Sequence, residues 1–195
     1  MSKIEVNTIE PQSGTTVTLG ASGDTLSVSS GATLNTSSAT LTLADKQIPV
    51  AKLANGTILQ TVIATNGSQT SVSTASVETA NVQASLTPTS ATTKILAFYT
   101  VGGVATENAN RLEGKLRWGT SSGTTAGTEV ANQYMANNGV AVNDMGTWAM
   151  SALIDHNTTS TVYVNGTVYT HDSNTTRYFN VYGSDSQLVL LEVQA

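Results

Sequence analysis

All ten aromatic residues of this chain lie between Phe98 and Tyr182. Aromatic side chains supply much of the buried area of a core, so the N-terminal part cannot build a globular core alone. Charge follows the same division: from Pro11 to Ala44 the sole charged residue is Asp24. An intrinsically disordered segment is rich in charge and poor in β-branched residues. This one is nearly uncharged and rich in Thr, Val and Leu.

Its apolar residues are also periodic. The pairs Val17/Leu19 and Leu26/Val28 are followed by Leu34 and then by Leu41/Leu43, each alternating with Thr or Ser. Gly20, Gly23 and Gly31 fall in the gaps. The pattern reads as a repeat of short strands and tight turns, the signature of a solenoid-like or interchain-wound β stalk. One such repeat exposes an apolar face that it cannot bury by itself. Stacking along the chain, or winding identical chains about a shared axis, buries it. A homotrimer is expected, with Val17, Leu19, Leu26, Val28, Leu34, Leu41 and Leu43 as its stalk core. A flexible Ser/Thr-rich linker is the alternative composition-based reading.

The whole chain of 195 residues carries 33 Thr and 21 Ser, and 11% of it is charged, against about 25% in an ordinary soluble domain. Thr and Val fit a pleated strand and lose side-chain freedom in a helix, so the expected fold class is all-β. Sparse charge also leaves strand edges poorly protected, which favours edges closed by partner chains. A net charge of −5 with scattered basic residues argues against nucleic acid, which needs clustered Lys and Arg. No Cys is present for disulfides or thiolate metal sites. The start, Met1-Ser2-Lys3-Ile4-Glu5-Val6, has no apolar run of signal-peptide length, and no stretch suits membrane insertion. The expectation is synthesis in a cytoplasm without export by the usual signal.

Between residues 45 and 56 the texture changes, and Pro49 with Asn55-Gly56 suggests a helix of one or two turns, or a neck. From residue 57 onward, strands are expected at 57–65, 77–86, 94–101, 111–118, 129–135, 148–155, 161–170, 176–182 and 187–193. Many short strands with Gly, Ser and Asn turns between them indicate an antiparallel β-sandwich of the jelly-roll kind. One segment is ambiguous: Val162 to Tyr169 reads as a hairpin with an Asn165-Gly166 turn, or equally as one long strand.

Several motifs resemble one family. Ile4-Glu5-Val6-Asn7-Thr8-Ile9-Glu10-Pro11, with Ser13-Gly14-Thr15 and the run from Leu19 to Asp24, resembles the start of tail-fibre-like virion proteins of marine bacteriophages. Leu86-Thr87-Pro88-Thr89-Ser90 and Thr93-Lys94-Ile95-Leu96 resemble a strand–turn–strand of their head domain, and Val189 to Val193 their closing strand. Residues 104–150 lie outside the resemblance. It implies a trimeric fibre, localised in the virion after assembly in the host cytoplasm. Its N-terminus, through Ile4, Val6 and Ile9, would dock on another virion protein while the head points outward. It also favours one strand at 161–170. The implied organisation is a docking segment (1–15), a stalk (16–44), a neck (45–56) and a β-sandwich head (57–195).

No catalytic constellation stands out. Asp155-His156 and His171-Asp172 would approach each other in a hairpin and could suggest a metal site, but no spaced ligand motif accompanies them, and polar strand ends explain them better. A polysaccharide-cleaving spike needs two carboxylates at a set separation, which the scattered acidic residues of the head do not specify. No Gly-x-Ser-x-Gly elbow and no phosphate loop occur. The expectation is therefore a protein with no catalytic activity, no cofactor and no metal. Trp118 and Trp148 are aromatic platforms for sugar or, more simply, core. Polar loops at 119–127, 137–143 and 155–161 are the candidates for contact with a host surface glycan, through Trp118, Ser121, Asn137, Asn138 and Asn157. A tail fibre, a capsid fibre or decoration, and a small polysaccharide-cleaving spike are the three competing readings.

Overall fold

The computed structural model describes residues 8–18, 21, 23–25, 27–28, 30–33, 48–73, 78–106, 111–123, 127–136, 146–171 and 176–195. The chain divides into two compact units, Met1–Gln47 and Ile48–Ala195. Among the described residues of the first unit there are turns and no paired strand. Gly23 and Gly31, expected in the gaps of the repeat, have φ of 93° and 83°, left-handed values that suit a tight turn and favour glycine. Asp24 closes the first of these, its carboxylate accepting from the Ala21 N–H at 2.6 Å. Val17, Val28 and Ile9 are exposed on the single chain. Ile4 and Val6 of the expected docking segment, and Leu19, Leu26, Leu34, Leu41 and Leu43 of the expected stalk core, lie outside the described residues.

The second unit opens on a single 3-10 turn, Val50–Lys52, where a short helix or neck is expected. Gly56 does not cap a helix. Its N–H donates to the Gln194 carbonyl and Gln194 donates to Thr57, so the two ends of the unit are pinned side by side. Ten strands follow among the described residues: β1 (Ile58–Asn66), β2 (Thr70–Val72), β3 (Glu78–Leu86), β4 (Lys94–Thr106), β5 (Arg111–Gly119), β6 (Thr128–Ala136), β7 (Gly146–Ile154), β8 (Val162–Thr170), β9 (Arg177–Phe179) and β10 (Ser186–Val193).

They form two antiparallel sheets. In the first, β1, β10, β4 and β7 lie side by side, and the short β9 and β2 continue it beyond a bulge at Gly102-Gly103 of β4. The second has the order β3-β8-β5-β6. Alternate residues of each strand fill the space between the sheets. Ile95, Ala97, Tyr99 and Val101 of β4, Leu188 and Leu190 of β10, and Trp148 and Ile154 of β7 meet Val82, Ala84 and Leu86 of β3. Leu112 and Leu116 of β5 and Val162, Val164 and Val168 of β8 complete this core.

The ambiguous segment is one strand. Asn165-Gly166 sits in the middle of β8, paired on one side with β3 and on the other with β5. The reason lies across the core. A Cβ on Gly166 would stand 2.6 Å from the Tyr99 ring, and one on Gly114 would stand 2.6 Å from the Trp148 indole nitrogen. Glycines in the second sheet thus leave room for the large rings of the first. Trp148 is buried and packs edge-on against Phe179, so its core reading holds.

The last expected strand before β10 is cut short. After Phe179 the chain turns at Asn180, whose φ of 59° is left-handed. Its side chain enters a buried network in which Asn81 donates to Tyr99 Oη (2.8 Å) and Ser186 Oγ (2.7 Å), and Asn180 donates to Asn81 (3.0 Å). Burial holds the Tyr99 hydroxyl well above the usual tyrosine range, against the opposing hydrogen bond from Asn81.

Candidate recognition surfaces

Strand alternation on β5 puts Glu113, Lys115 and Arg117 on the outer face of the second sheet, opposite the inward Leu112 and Leu116. Neighbouring strands supply partners in register. Tyr169 of β8 and Tyr134 of β6 flank Glu113, and Asn165 and Glu129 flank Arg117. The result is a mixed-charge ladder. Arg117 Nε lies 2.6 Å from Glu78 Oε1, and Lys115 Nζ lies 3.2 Å from Glu129 and 3.6 Å from Glu113. His171 Nε2 is 3.1 Å from the buried Glu113. Thr167 donates to Glu78, and Gln83 donates to the buried Asn165.

Burial opposes the charge of Glu78, but the Arg117 and Thr167 hydrogen bonds and the nearby cations outweigh it and hold its carboxyl below the usual range. For Lys115, burial is likewise outweighed by Glu129, Glu113 and Glu78, and its ammonium sits above the ordinary value. Arg117 is raised first by its bond to Glu78. Glu78 is thus engaged by a cation and stays ionised.

Aromatic surface accompanies the charges. Tyr134 is 55% exposed and stacks on His171 at 5.7 Å and 27°. Tyr169 meets His171 edge-on, and the Lys115 ammonium lies 5.1 Å from the Tyr169 ring centre. Exposed rings beside planar amides and carboxylates can stack on a sugar ring and bond its hydroxyls. The sequence signal for this face is the spacing of Glu113, Lys115 and Arg117 at alternate positions of one strand, while the aromatic partners come from register with β6 and β8.

Trp118 and Ser121 do come together. They line an open hollow of about 320 Å3 with Gly119, Thr120, Gly127 and Thr128 at the turn between β5 and β6. Asn157, exposed and with φ of 46°, belongs to the β7–β8 connection at the same end, because Gly119 pairs with Tyr163 at the start of β8. Residues 48–57 and the C-terminus also reach this end. Asn137 and Asn138 lie outside the described residues. The strand ends flanking them, Ala136 paired with Arg111 and Gly146 paired with Val104, are at the opposite end of the sandwich.

The two histidines are also separated, since β8 runs its full length between them. His156 is buried, 2.9 Å from the Thr158 carbonyl, and its neighbour Asp155 pairs with Lys94 at 2.7 Å. Among the described residues no group of three His, Cys, Asp or Glu could hold a metal ion.

No helix of the described residues is long and apolar enough to cross a membrane. No family model and no curated protein matches the chain. Solved structures with similarity include infectious bursal disease virus Gx strain, at 13% identity and a TM-score of 0.41 over 69% of this chain and 33% of that one. The VP2 subviral particle of the same virus is similar at 14% identity and a TM-score of 0.40, again over 69% of this chain and 33% of that one. The chain thus spans about a third of the length of these proteins.

Proposed function

We propose that the chain is a virion structural protein, a homotrimeric bacteriophage fibre on or near the tail, whose head is a jelly roll and carries no catalytic site. The observation that supports this most is the strand order. β1 with β10, β3 with β8, β4 with β7 and β5 with β6 are nested antiparallel pairs, as in one long folded ribbon. Rolling that ribbon so that β10 meets β4 and β8 meets β5 gives the two sheets observed. Two interlocked Greek keys have this order, and they serve in viral capsid and lectin domains.

The resemblance of the chain's beginning, its β3–β4 turn and its last strand to marine phage fibre proteins supports the same reading. In this reading the N-terminal segment docks on another virion protein. The head makes shallow contacts with host surface glycan through the Tyr134 face and the Trp118 hollow. Three linked heads turn a weak single-site affinity into avidity.

An antibody raised against the head is expected to decorate the tail region of intact particles in electron microscopy. Particles that take no label would contradict a virion role, and label on the capsid shell would move the protein to a decorating one. Purified protein is expected to bind intact host cells and to release no reducing sugar from them, with Tyr134→Ala and Trp118→Ala each lowering binding several-fold.

A further inference from the structure

The two sheets differ in how their outer faces are written. β5 alternates strictly, with Leu112, Leu116 and Trp118 against Glu113, Lys115 and Arg117, as a strand wetted on one side does. β4 instead runs Ile95-Leu96-Ala97-Phe98-Tyr99, and β10 runs Leu188-Val189-Leu190-Leu191. Continuous apolar runs belong to strands covered on both faces.

The structure places the surplus residues side by side. One row across the first sheet is Ile63, Val189 and Phe98, ending at Ser151. The next is Leu191, Leu96 and Leu153, beginning at Thr61. Ile63 is 60% exposed, Leu153 61% and Phe98 41%. No charged side chain enters either row; the nearest pair, Lys94 with Asp155, lies at the end of the sheet.

We infer that this face is the contact between heads, turned toward the same face of the other copies about the axis of the trimer; the inference rests on the trimeric reading above. Charge selects the occupant. Residues next to a rotation axis meet their own copies, so every charge there is set against like charge. The second sheet, with its five ladder charges, is unsuited to that place, whereas two charge-free rows suit it. Size agrees as well. Four strands about 4.8 Å apart and about eight residues long cover roughly 500 Å2 in plan. With the relief of the side chains this is on the order of the 800 Å2 per partner of a standard interface.

The absence of Cys allows a direct test on the full chain. Ser151→Cys puts a single thiol beside Phe98, and Ser85→Cys puts one on the outer face of the second sheet as control. A short bis-maleimide is expected to join chains through position 151 at least ten times faster than through position 85. Adding Leu153→Lys should remove that difference. Light scattering on the same samples separates the two claims. A trimeric mass with equal or no linkage at 151 overturns the inference and leaves the trimer standing, while a monomeric mass overturns both. A thiol at 151 that is shielded from maleimide but joins no copies assigns the face to another occupant, and also overturns the inference.

Discussion

Gly166→Ala is expected to destabilise the head by about 3 kcal/mol, the upper part of the usual range for overpacking a filled core. The new methyl carbon would stand 2.6 to 2.8 Å from three atoms of the Tyr99 ring. That ring is fully buried and its hydroxyl is held by Asn81, so it cannot step aside without breaking a second network. The backbone of β8 cannot yield easily either, being bonded to β3 and β5. For a chain of this size the loss should appear as a fall in Tm of roughly 6 to 12 °C. The comparison should be made at fixed chain concentration, because association shifts apparent stability. Tyr99→Leu in the same chain should make the two losses less than additive. A Gly166→Ala protein within about 0.5 kcal/mol of the parent, a change typical of neutral surface substitutions, would show that the ring and the glycine are not in contact.

Glu192→Leu should cost a similar amount, about 3 kcal/mol, because buried donors left without an acceptor cost about 1–3 kcal/mol each. Glu192 is fully buried. Its Oε1 accepts from the Thr89 N–H (2.7 Å), the Thr89 hydroxyl (2.8 Å) and the Thr93 hydroxyl (2.6 Å), and its Oε2 accepts from Gln60 (2.6 Å). It thereby ties the turn between β3 and β4 to the end of β10 and β1. Burial pushes its carboxyl up, and these donors more than reverse that, so the folded value lies below the ordinary 4.5. The folded state therefore holds this proton less tightly than the unfolded chain. The stabilisation is complete above pH 4.5 and is lost as pH falls through the lower folded value. Glu192→Gln keeps the shape and lacks the titration. Its deficit against the parent at pH 7 should shrink as the pH drops below 4.5, measured by denaturant unfolding. A deficit constant from pH 7 to pH 3 would contradict the assignment.

Both residues were written legibly in one respect and not in another. Period-two alternation from Leu188 through Leu190 puts position 192 inward, and a Glu in that register signals a buried polar anchor. What no pattern supplies is the partner set, because Thr89 and Thr93 come from a turn about a hundred residues away. Asn165-Gly166 misleads for the opposite reason. The dipeptide is a strong local turn signal, but the space demanded by Tyr99 overrides it.

The strands with clean alternation, such as β5, were found to within a residue or two. β2 has three residues, too few for periodicity to mark. Asn180 ended β9 early because a left-handed Asn fits a buried network that sequence does not display. The apolar runs of β4 and β10 mark them as strands, but without alternation they do not say which residues face the core. The Glu113 and His171 pair arises from register between β5 and β8, and the placing of Asn157 at the same end as the Trp118 hollow arises from which end of the ribbon each turn occupies. Neither can be counted along a single chain.

The proposal that this chain works as a homotrimeric structural fibre fixes the mass of the particle it forms in solution. Multi-angle light scattering on the full chain at micromolar concentration tests it most directly. A homotrimer should run as a single species with three times the 20.1 kDa mass of the chain, held unchanged on tenfold dilution; a particle of one chain's mass at that concentration would rule the homotrimer out.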